Sequence, residues 1–375
     1  MPSVAVIPAW YPGPGRPLEG IFVREHARAA ARGNDVAVLV NEPEPPPGRK
    51  PFSVSDQVED GLRTFRIRHS RLPQLGTAGY LLGIRSALAT LRGEGRPVEL
   101  LHAHVHRAAW TALIVGTPAR LPVVVSEHSS EWAETGIAPG ALRRARISLR
   151  RADLVCPVSE YLRGRIEAQG IHARFRVVPN PVDTELFAPR APGPRSGPAR
   201  IVAVAALQPA KGIAQLIEAL AGLGHKDFAL ALIGDGPARA EYEKLAREAG
   251  VAERVAFRGQ LPKPAVAALM READFLVLPS LGETFSVVVV EALVCGLPVV
   301  ATRVGGVPEL VDEDSGLLVE PGSAEALRAG IERMLDGHAD YSAERIRARA
   351  AGRWSLEAVG DQWTDVYRRV IDTRN

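Results

Sequence analysis

The stretch PSLGETFSVVVVEALVCGLPVVAT, residues 279 to 302, decides how the chain folds. Short apolar runs of β type, DFLVLPS and LPVVAT, lie on either side of its centre, and the residues between them can form a right-handed crossover. The valines at 287 to 290 alone would favour a strand, because β-branched residues prefer extended backbone. We predict a helix there, since Ser286 is a good N-cap and Gly296 followed by Pro298 supplies a stop. The stretch therefore predicts a strand–helix–strand unit of a parallel sheet.

The same alternation of strand-like and helical runs extends along the chain, which is typical of α/β folds with parallel sheets covered on both faces. A Pro/Gly-rich passage at 189–198 interrupts it and has the composition of a linker. We predict a first domain at 1–188, a second at 199–354 and a last helix at about 355–375. Strands are predicted at 4–9, 35–40, 64–68, 98–104, 121–126 and 152–159, and then in RIVAVAAL, FALALIGDG, VAFRG, DFLVLPS, LPVVAT and GLLVE.

Composition excludes several classes of protein. The chain has 375 residues, of which 46% are hydrophobic and 24% charged, as in soluble globular proteins. Its formal charge of +3 is slight and does not suggest a nucleic-acid partner. Cys156 and Cys295 stand in apolar runs, so we expect buried free thiols, with a disulfide as the alternative. The N-terminus lacks the features of a signal peptide and no run reaches membrane-spanning length, so we expect a cytoplasmic protein.

Two carboxylates lie close to the predicted helix start. Glu283 falls in the turn and Glu291 one to two turns inside the helix, so both side chains can face a ligand that lies across the start. Backbone N–H groups near Ser286 to Val288 attract phosphate or hydroxyl oxygens there. The alternative is two solvated surface charges, which is disfavoured because an acid in so apolar a segment is rarely left unpaired.

Other strand ends also carry candidate residues. Gly20 opens the helix after the first strand, where a glycine lets a diphosphate or sugar approach the backbone closely. A plain tight turn is the alternative. Lys211 precedes the helix after the first strand of the second half, and its ammonium can neutralise a diphosphate. A lysine at a helix start is otherwise unfavourable, which supports a bound anion.

Histidines cluster in the first half. Three of them alternate along LHAHVHRAAW, on one face of a predicted strand: His102, His104 and His106. They are candidate zinc ligands or, alternatively, satisfied polar residues. His128 falls just past another strand, at the edge where open α/β sheets bind ligands. Its neighbours Glu127 and Glu131 are either acceptor contacts or exposed acids.

The ordered set of motifs resembles the retaining nucleotide-sugar glycosyltransferases of family 4. Their signature is Glu, seven residues, Glu, then Ala, a small residue, Gly and Pro-Val-Val, and here it reads ETFSVVVVEALVCGLPVV. The resemblance extends over nearly the whole chain. It implies an α/β fold of two Rossmann-like domains in the GT-B arrangement, with an interdomain cleft and a last helix that crosses back onto the first domain.

The resemblance also implies roles for individual residues. The implied catalytic residues are His128, Lys211 and Glu283. The implied donor-binding residues are Gly20, Gly234, Gly259, Gln260, Leu261, Phe285, Ser286, Val287 and Glu291. In this scheme Lys211 binds the diphosphate, His128 and Glu283 contact the sugar, and Glu291 binds the ribose. The family usually has an arginine where this chain has Ala206, so one cation of the phosphate clamp is missing.

The expected reaction transfers a sugar from a UDP- or GDP-sugar to a hydroxyl of a sugar, lipid-linked or small-molecule acceptor, without cofactor or metal. The alternatives are a nucleotide-sugar epimerase, a phosphorylase, or a non-catalytic nucleotide-sugar-binding scaffold. Arginines are concentrated at 143–151 on a predicted amphipathic helix, which suggests peripheral contact with the inner face of a membrane. A solvated arginine face is the alternative.

Overall fold

The computed structural model of the protein describes residues 1–46, 50–132, 136–191, 193, 197–224 and 226–374. The chain forms two compact units. Residues 1–181 together with 356–375 make the first unit, and residues 182–355 make the second. The first unit is therefore discontinuous in sequence.

The boundary between the units lies at Pro181 and Val182, before the predicted 188. Residues just after it belong with the second unit, because the Val182 N–H donates to the Trp354 carbonyl at 2.7 Å. Arg347 donates to the Phe187 carbonyl at 3.2 Å in the same way. Within the predicted linker at 189–198, residues 192 and 194–196 lie outside the described residues.

The first unit contains a seven-stranded sheet in the order β3-β4-β2-β1-β5-β6-β7. Its strands are β1 (Ser3–Pro8), β2 (Asp35–Glu42), β3 (Phe52–Glu59), β4 (Leu62–His69), β5 (Leu100–His104), β6 (Val123–Glu127) and β7 (Leu154–Pro157). Its first five helices are α1 (Ile21–Ala31), α2 (Pro73–Gly93), α3 (His106–Ala119), α4 (Pro139–Arg151) and α5 (Glu160–Glu167). All neighbours are parallel except β3, which pairs antiparallel with β4 at the edge. Strand β3 is not among the predicted strands, because its apolar alternation (Phe52, Val54, Val58) is interrupted by Asp56 and its residues are half-buried to exposed.

The second unit contains a six-stranded parallel sheet in the order β10-β9-β8-β11-β12-β13. Its strands are β8 (Ala199–Val204), β9 (Phe228–Ile233), β10 (Val255–Gly259), β11 (Phe275–Leu278), β12 (Val299–Thr302) and β13 (Gly316–Val319). Its helices are α6 (Ile213–Ala221), α7 (Arg239–Glu248), α8 (Lys263–Glu272), α9 (Val287–Val294), α10 (Ala324–Gly337) and α11 (Ala343–Trp354). The valine run is helix α9, so the helix prediction is confirmed against strand propensity.

The last helix, α12 (Leu356–Arg374), belongs to the first unit. Its Trp363 and Tyr367 are fully buried in the core that also contains Val4 and Val23. Burial of two aromatic side chains of this size contributes several kcal/mol, so α12 is a structural part of the first unit.

The thiols and the helix lengths are also defined by the structure. Cys156 and Cys295 are both buried and free, as predicted. No helix in the described ranges combines the length and apolar character needed to cross a bilayer.

Candidate functional site

The second sheet reverses its strand order between β8 and β11. From β8 the chain adds β9 and β10 on one side, and it then returns to add β11, β12 and β13 on the other. The loops that follow β8 and β11 therefore leave the same edge and diverge. In open α/β sheets such a reversal forms the crevice in which ligands bind. Lys211 lies in the first of these loops and Glu283 in the second.

Lys211 and Glu283 are in direct contact in this crevice. The Lys211 Nζ lies 2.7 Å from Glu283 Oε1, and the Ser280 hydroxyl donates to the same oxygen at 2.8 Å. Their side chains are 27% and 14% exposed, so both are accessible but partly shielded. An ammonium has three N–H donors, and only one can point at Glu283 in this geometry. The site can therefore offer positive charge to a ligand while the glutamate stays paired.

Backbone packing holds Lys211 against the loop after β11. Gly212 has φ +64°, and a Cβ atom there would lie 2.0 Å from the Pro279 carbonyl oxygen. The Leu281 N–H donates to the Ala210 carbonyl at 2.9 Å. Only glycine permits this close approach, and the approach brings the lysine and glutamate together.

Helix α9 starts beside this ion pair. Ser286 is its N-cap residue, as predicted, but the serine side chain makes no capping hydrogen bond. Ser286 thus leaves the N–H groups of the first turn uncapped, and the helix start presents the positive end of the helix dipole. Glu291 lies in the second turn and is buried, with Oε1 3.8 Å from the Lys263 Nζ. Neither Glu283 nor Glu291 is a solvated surface charge.

Lys263 and Ser280 are not among the site residues predicted from the sequence. Lys263 is the first residue of α8, after strand β10, and its side chain is 22% exposed. It therefore occupies the same kind of position as Lys211, at a helix start on the ligand edge of the sheet. This position, next to a helix start that follows a parallel strand, is the sequence feature from which Lys263 could have been predicted. Ala206, which stands at the family arginine position, is exposed and supplies no charge.

Gly234 and Gly259 join the ends of β9 and β10. The Gly234 N–H donates to the Gly259 carbonyl at 2.9 Å. Gly234 has φ +133°, and a Cβ atom there would lie 1.9 Å from the Ala205 carbonyl oxygen, so backbone packing alone requires glycine. The other predicted donor-binding side chains range from buried to exposed: Phe285 is buried, Leu261 and Val287 are half-buried, and Gln260 is exposed.

The first sheet reverses its order between β1 and β5. Gly20 ends the loop after β1 and is the N-cap of α1, with φ +67°. A Cβ atom on Gly20 would lie 2.2 Å from the Trp10 carbonyl oxygen, so its own loop requires glycine. His128 follows the next strand, β6, and is half-buried.

Glu127 is fully buried, so the prediction of an acceptor contact or an exposed acid is wrong for this residue. Its Oε1 accepts the N–H groups of His128 and Ser129, each at 3.0 Å. Its Oε2 accepts the His106 N–H at 2.8 Å and lies 3.1 Å from His106 Nδ1. Burial raises the pKa of Glu127, but the hydrogen bonds and the neighbouring imidazole outweigh it and hold the pKa below its usual value. Glu131 pairs with Arg107 instead.

The bonds to Glu127 also stabilise a strained residue. Val105, between β5 and α3, has φ +72° and is fully buried. A β-branched residue in this region costs about 1–3 kcal/mol. His106 follows Val105 and is held by its two contacts with the Glu127 carboxylate. These contacts fix the loop at the point where the first sheet reverses its strand order.

His102 and His104 lie on β5, but His106 is the first residue of α3. The prediction of three histidines on one strand face is therefore wrong for His106, which turns to Glu127. His102 lies 2.8 Å from the Tyr367 hydroxyl and 2.8 Å from the Ser126 hydroxyl. In the part of the chain that the structure describes, no three His, Cys, Asp or Glu side chains are grouped to hold a metal ion.

The ring of His128 is hydrogen-bonded at both nitrogens. Nδ1 lies 3.2 Å from Asn180 Oδ1, and Nε2 lies 3.1 Å from His104 Nδ1. The same Asn180 oxygen lies 3.1 Å from His26 Nε2. Burial lowers the pKa of His26 to about 4 and holds the pKa values of His104 and His128 well below the usual range. These imidazoles are therefore neutral at pH 7.

The arginines of helix α4 form an exposed basic face, made of Arg143, Arg144, Arg146, Arg150 and Arg151. Its apolar side is not free, because Ala145 and Leu149 are buried within the first unit. Arg146 and Arg150 also donate to the carbonyls of Gln169 and Gly170.

Comparison with known proteins gives the family. The description "Glycosyltransferase Family 4" matches residues 20–186, and "Glycosyl transferases group 1" matches residues 186–353. The 2-deoxystreptamine glucosyltransferase of Streptomyces kanamyceticus is 31% identical over 291 residues, which cover 70% of this chain and 74% of that protein. The GDP-mannose-dependent alpha-(1-6)-phosphatidylinositol monomannoside mannosyltransferase of Mycolicibacterium smegmatis is 32% identical over 289 residues, 71% of each chain.

The fold agrees with this family. The structure of sucrose-phosphate synthase from Thermosynechococcus elongatus matches with a TM-score of 0.78 at 24% identity, over 99% of this chain and 100% of that one. The chain therefore belongs to the GT-B glycosyltransferases of family 4.

Proposed function

We propose that the protein is a retaining glycosyltransferase that moves a sugar from a UDP- or GDP-linked donor to an acceptor hydroxyl. The observation that supports this most is the cluster of Lys211, Glu283 and Ser280 where the second sheet reverses, next to the start of α9, which the Ser286 side chain does not cap. A diphosphate placed there meets an ammonium and helix N–H groups, while the adjacent carboxylate can accept sugar hydroxyls.

Each part of the donor has a proposed contact. Lys211 and the N–H groups near Ser286 and Val287 bind the diphosphate, and Glu291 binds the ribose hydroxyls. Lys263 adds the second positive charge that Ala206 does not supply. The base meets the backbone of residues 259–261, beside Gly234. Gly20 and His128 of the first unit remain proposed donor contacts, as does Phe285 through its backbone.

The proposed chemistry takes place on one face of the sugar. The bond between the anomeric carbon and the diphosphate oxygen breaks as the acceptor oxygen bonds to that carbon from the same side. The acceptor proton passes to the departing phosphate oxygen, so no protein base is needed. Lys211 and the helix N–H groups stabilise the negative charge that develops on the leaving group. These fixed charges serve in place of a divalent cation, so the proposal includes neither metal nor cofactor.

Ligand-induced stabilisation tests the donor. The thermal unfolding temperature of the protein is measured without ligand and with UDP, GDP, ADP and their glucose or mannose conjugates. A ligand at a hundred times its dissociation constant should stabilise the fold by about 2.7 kcal/mol. If none of these nucleotides raises the melting temperature, the proposal is wrong. Lys211→Gln should abolish the shift, and Lys226→Gln, which alters a comparable pair with Asp336, should retain it.

Product analysis tests the reaction. The preferred donor is incubated with simple sugar, inositol and aminocyclitol acceptors, with and without a chelator, and the anomeric configuration of the product is read by NMR. Retention at full rate in the chelator is expected. An inverted product overturns the mechanism. Turnover of the donor without an acceptor would indicate an epimerase, and turnover that depends on free phosphate would indicate a phosphorylase. Nucleotide-sugar binding without any turnover would indicate a scaffold.

We also propose that the exposed arginine face of α4 contacts anionic lipid at the inner face of the membrane. The support is local composition: helices α2, α3 and α4 contain no Asp or Glu at all. Since Ala145 and Leu149 are already buried, the contact is electrostatic, at about 1 kcal/mol for each arginine near the surface.

Vesicle sedimentation measures this contact. Binding to vesicles with anionic lipid, lost at 0.5 M salt and absent with neutral lipid, is the expected result, because salt screens such contacts. Arg143→Gln with Arg144→Gln should weaken binding. Arg345→Gln with Arg353→Gln, two exposed arginines of the second unit, serves as the matched control. Equal binding by the two variants would refute the assignment to α4.

A further inference from the structure

A chain of hydrogen bonds between buried and half-buried side chains runs through the first unit, and Asn180 is at its centre. Trp363 of α12, His26 of α1, Asn180, His128 and His104 of β5 follow one another at separations of 3.0 to 3.2 Å. We propose that Asn180 is a positioning residue that fixes His128 in the tautomer with its hydrogen on Nδ1 and its lone pair on Nε2. The proposal deepens the role given to His128 above and rests on it.

The first residue of this hydrogen-bond series, Trp363, decides which atom donates in each of the bonds that follow. An indole nitrogen can only donate, so Trp363 Nε1 donates to His26 Nδ1, at 3.0 Å. His26 is fully buried and neutral, so its single hydrogen must be on Nε2. That nitrogen faces Asn180, which must therefore present its oxygen and not its amide nitrogen.

The remaining members follow from the first. The Asn180 oxygen also faces His128 Nδ1, and because an amide oxygen only accepts, Nδ1 must bear the hydrogen. A neutral His128 then has a lone pair on Nε2, and His104 Nδ1 must donate to it. The hydrogen bonds thus leave His104 with a lone pair on Nε2, and this buried atom has no partner among the described residues.

The neighbouring titratable groups do not disturb this order. His102 and Tyr367 lie beside the chain, but they bond to each other and, through His102, to Ser126. The single side-chain oxygen of Asn180 therefore fixes which nitrogen bears the hydrogen in both His26 and His128. His102 is not part of this series of hydrogen bonds. As a consequence His128 has no N–H for a ligand. A sugar hydroxyl can meet this ring only by donating to Nε2, in competition with His104.

The tautomers can be read directly from imidazole ¹⁵N NMR of the histidine-labelled full chain at pH 7, without any substrate. For the native protein we expect His128 and His104 hydrogens on Nδ1 and the His26 hydrogen on Nε2. Asn180→Leu removes the acceptor and should release His128 into a mixture of tautomers. Tyr367→Phe is the matched control, since it removes a buried hydrogen bond outside the chain and should leave the His128 signal unchanged.

Kinetics then separate positioning from packing. Asn180→Asp keeps an acceptor oxygen and adds a negative charge that favours the protonated form of His128. The pH profile of kcat/KM should then show a pKa that the native profile lacks, and kcat/KM should fall about tenfold for each pH unit below it. Asn180→Leu should lower kcat/KM at every pH, mainly through a higher donor KM. If Asn180→Leu does not fold, Asn180→Asp and the native spectrum still decide the question.

Three results would overturn the proposal: a His128 hydrogen on Nε2 in the native protein, an Asn180→Leu protein with native tautomers, or a native pH profile in Asn180→Asp. The spectrum is independent of the reaction. If no nucleotide binds but the tautomers are as described, the proposed function fails while the positioning by Asn180 stands. If nucleotides bind and the tautomers differ, only the positioning fails.

Discussion

Lys211 illustrates how a functional charge can be separated from stability. Its ion pair with Glu283 is partly exposed, and such pairs contribute about 0–1 kcal/mol to folding. In the proposed reaction the same ammonium stabilises the leaving diphosphate, and removing one such donor typically lowers kcat by about 10²–10³-fold. The two effects differ enough in size to be measured apart.

We therefore expect Lys211→Gln to lower kcat by about 10²–10³-fold and to change the free energy of unfolding by less than about 1 kcal/mol. Initial rates and urea denaturation measure the two quantities. Lys226→Gln should leave both nearly unchanged, because its pair with Asp336 has no proposed role. A large loss of stability in Lys211→Gln with native kcat would contradict the assignment.

At the same scale, burial explains which residues the sequence could not reveal. Glu127 and Glu131 look alike in SEHSSEW, yet one is fully buried with four hydrogen-bond contacts and the other pairs with Arg107. The difference depends on His106 folding into α3, which is a long-range property of the chain. Lys211 and Glu283 could be located because each follows a strand that the local pattern predicts, and Glu291 because it lies inside a helix with recognisable cap and stop residues.

At the level of elements, the site depends on the junction between α6 and the loop after β11. Gly212 is the N-cap of α6, and its backbone lies against Pro279. Any side chain there has to separate the two elements, and with them Lys211 from Glu283.

Gly212→Ala should therefore lower the free energy of unfolding by at least about 1 kcal/mol, because of the left-handed φ and the contact with Pro279, and should weaken nucleotide binding. Urea denaturation and nucleotide titration are the measurements. Gly352→Ala is the matched control: it lies in α11 with open space around it, so alanine should stabilise by about 0.5–1 kcal/mol. Equal behaviour of the two variants would show that the junction does not matter.

Elements with a strong local pattern were predicted well. The predicted strands of both sheets are present within a few residues, because each is a short apolar run between turn residues. Helix α9 was found from its cap and stop signals in spite of its valines. Strand β3 could not be predicted in this way, because it is an edge strand whose apolar alternation is short, interrupted by Asp56 and largely exposed.

At the scale of the molecule, the two units should respond differently to acid. His26, His102 and His104 are buried in the first unit, His128 is half-buried beside them, and all four have lowered pKa values; the second unit has no comparable cluster among its described residues. Below pH 6.5 the unfolded chain binds protons at these histidines, whereas folded His26 binds one only near pH 4. Because the unfolded state binds more protons, stability falls as the pH falls.

We expect the first unit to lose stability between pH 6.5 and 4, with His26 alone contributing about 3 kcal/mol of this loss. Glu127, with its lowered pKa, acts in the same direction at the acid end. Tryptophan fluorescence follows the first unit, which contains all tryptophans except Trp354, and hydrogen exchange follows both units. Simultaneous loss of both units, or a first unit whose stability does not change over this range, would contradict the expectation.

The position of α12 has a consequence for biosynthesis. Trp363 and Tyr367 leave the ribosome after the whole of the second unit, although they fill the core of the first. The second unit is continuous and can fold as it emerges, whereas the earlier-made part of the first unit keeps an open apolar face until α12 has been synthesised. Newly made first-half polypeptide is therefore the species that needs chaperone protection, and premature termination before Leu356 would produce it permanently.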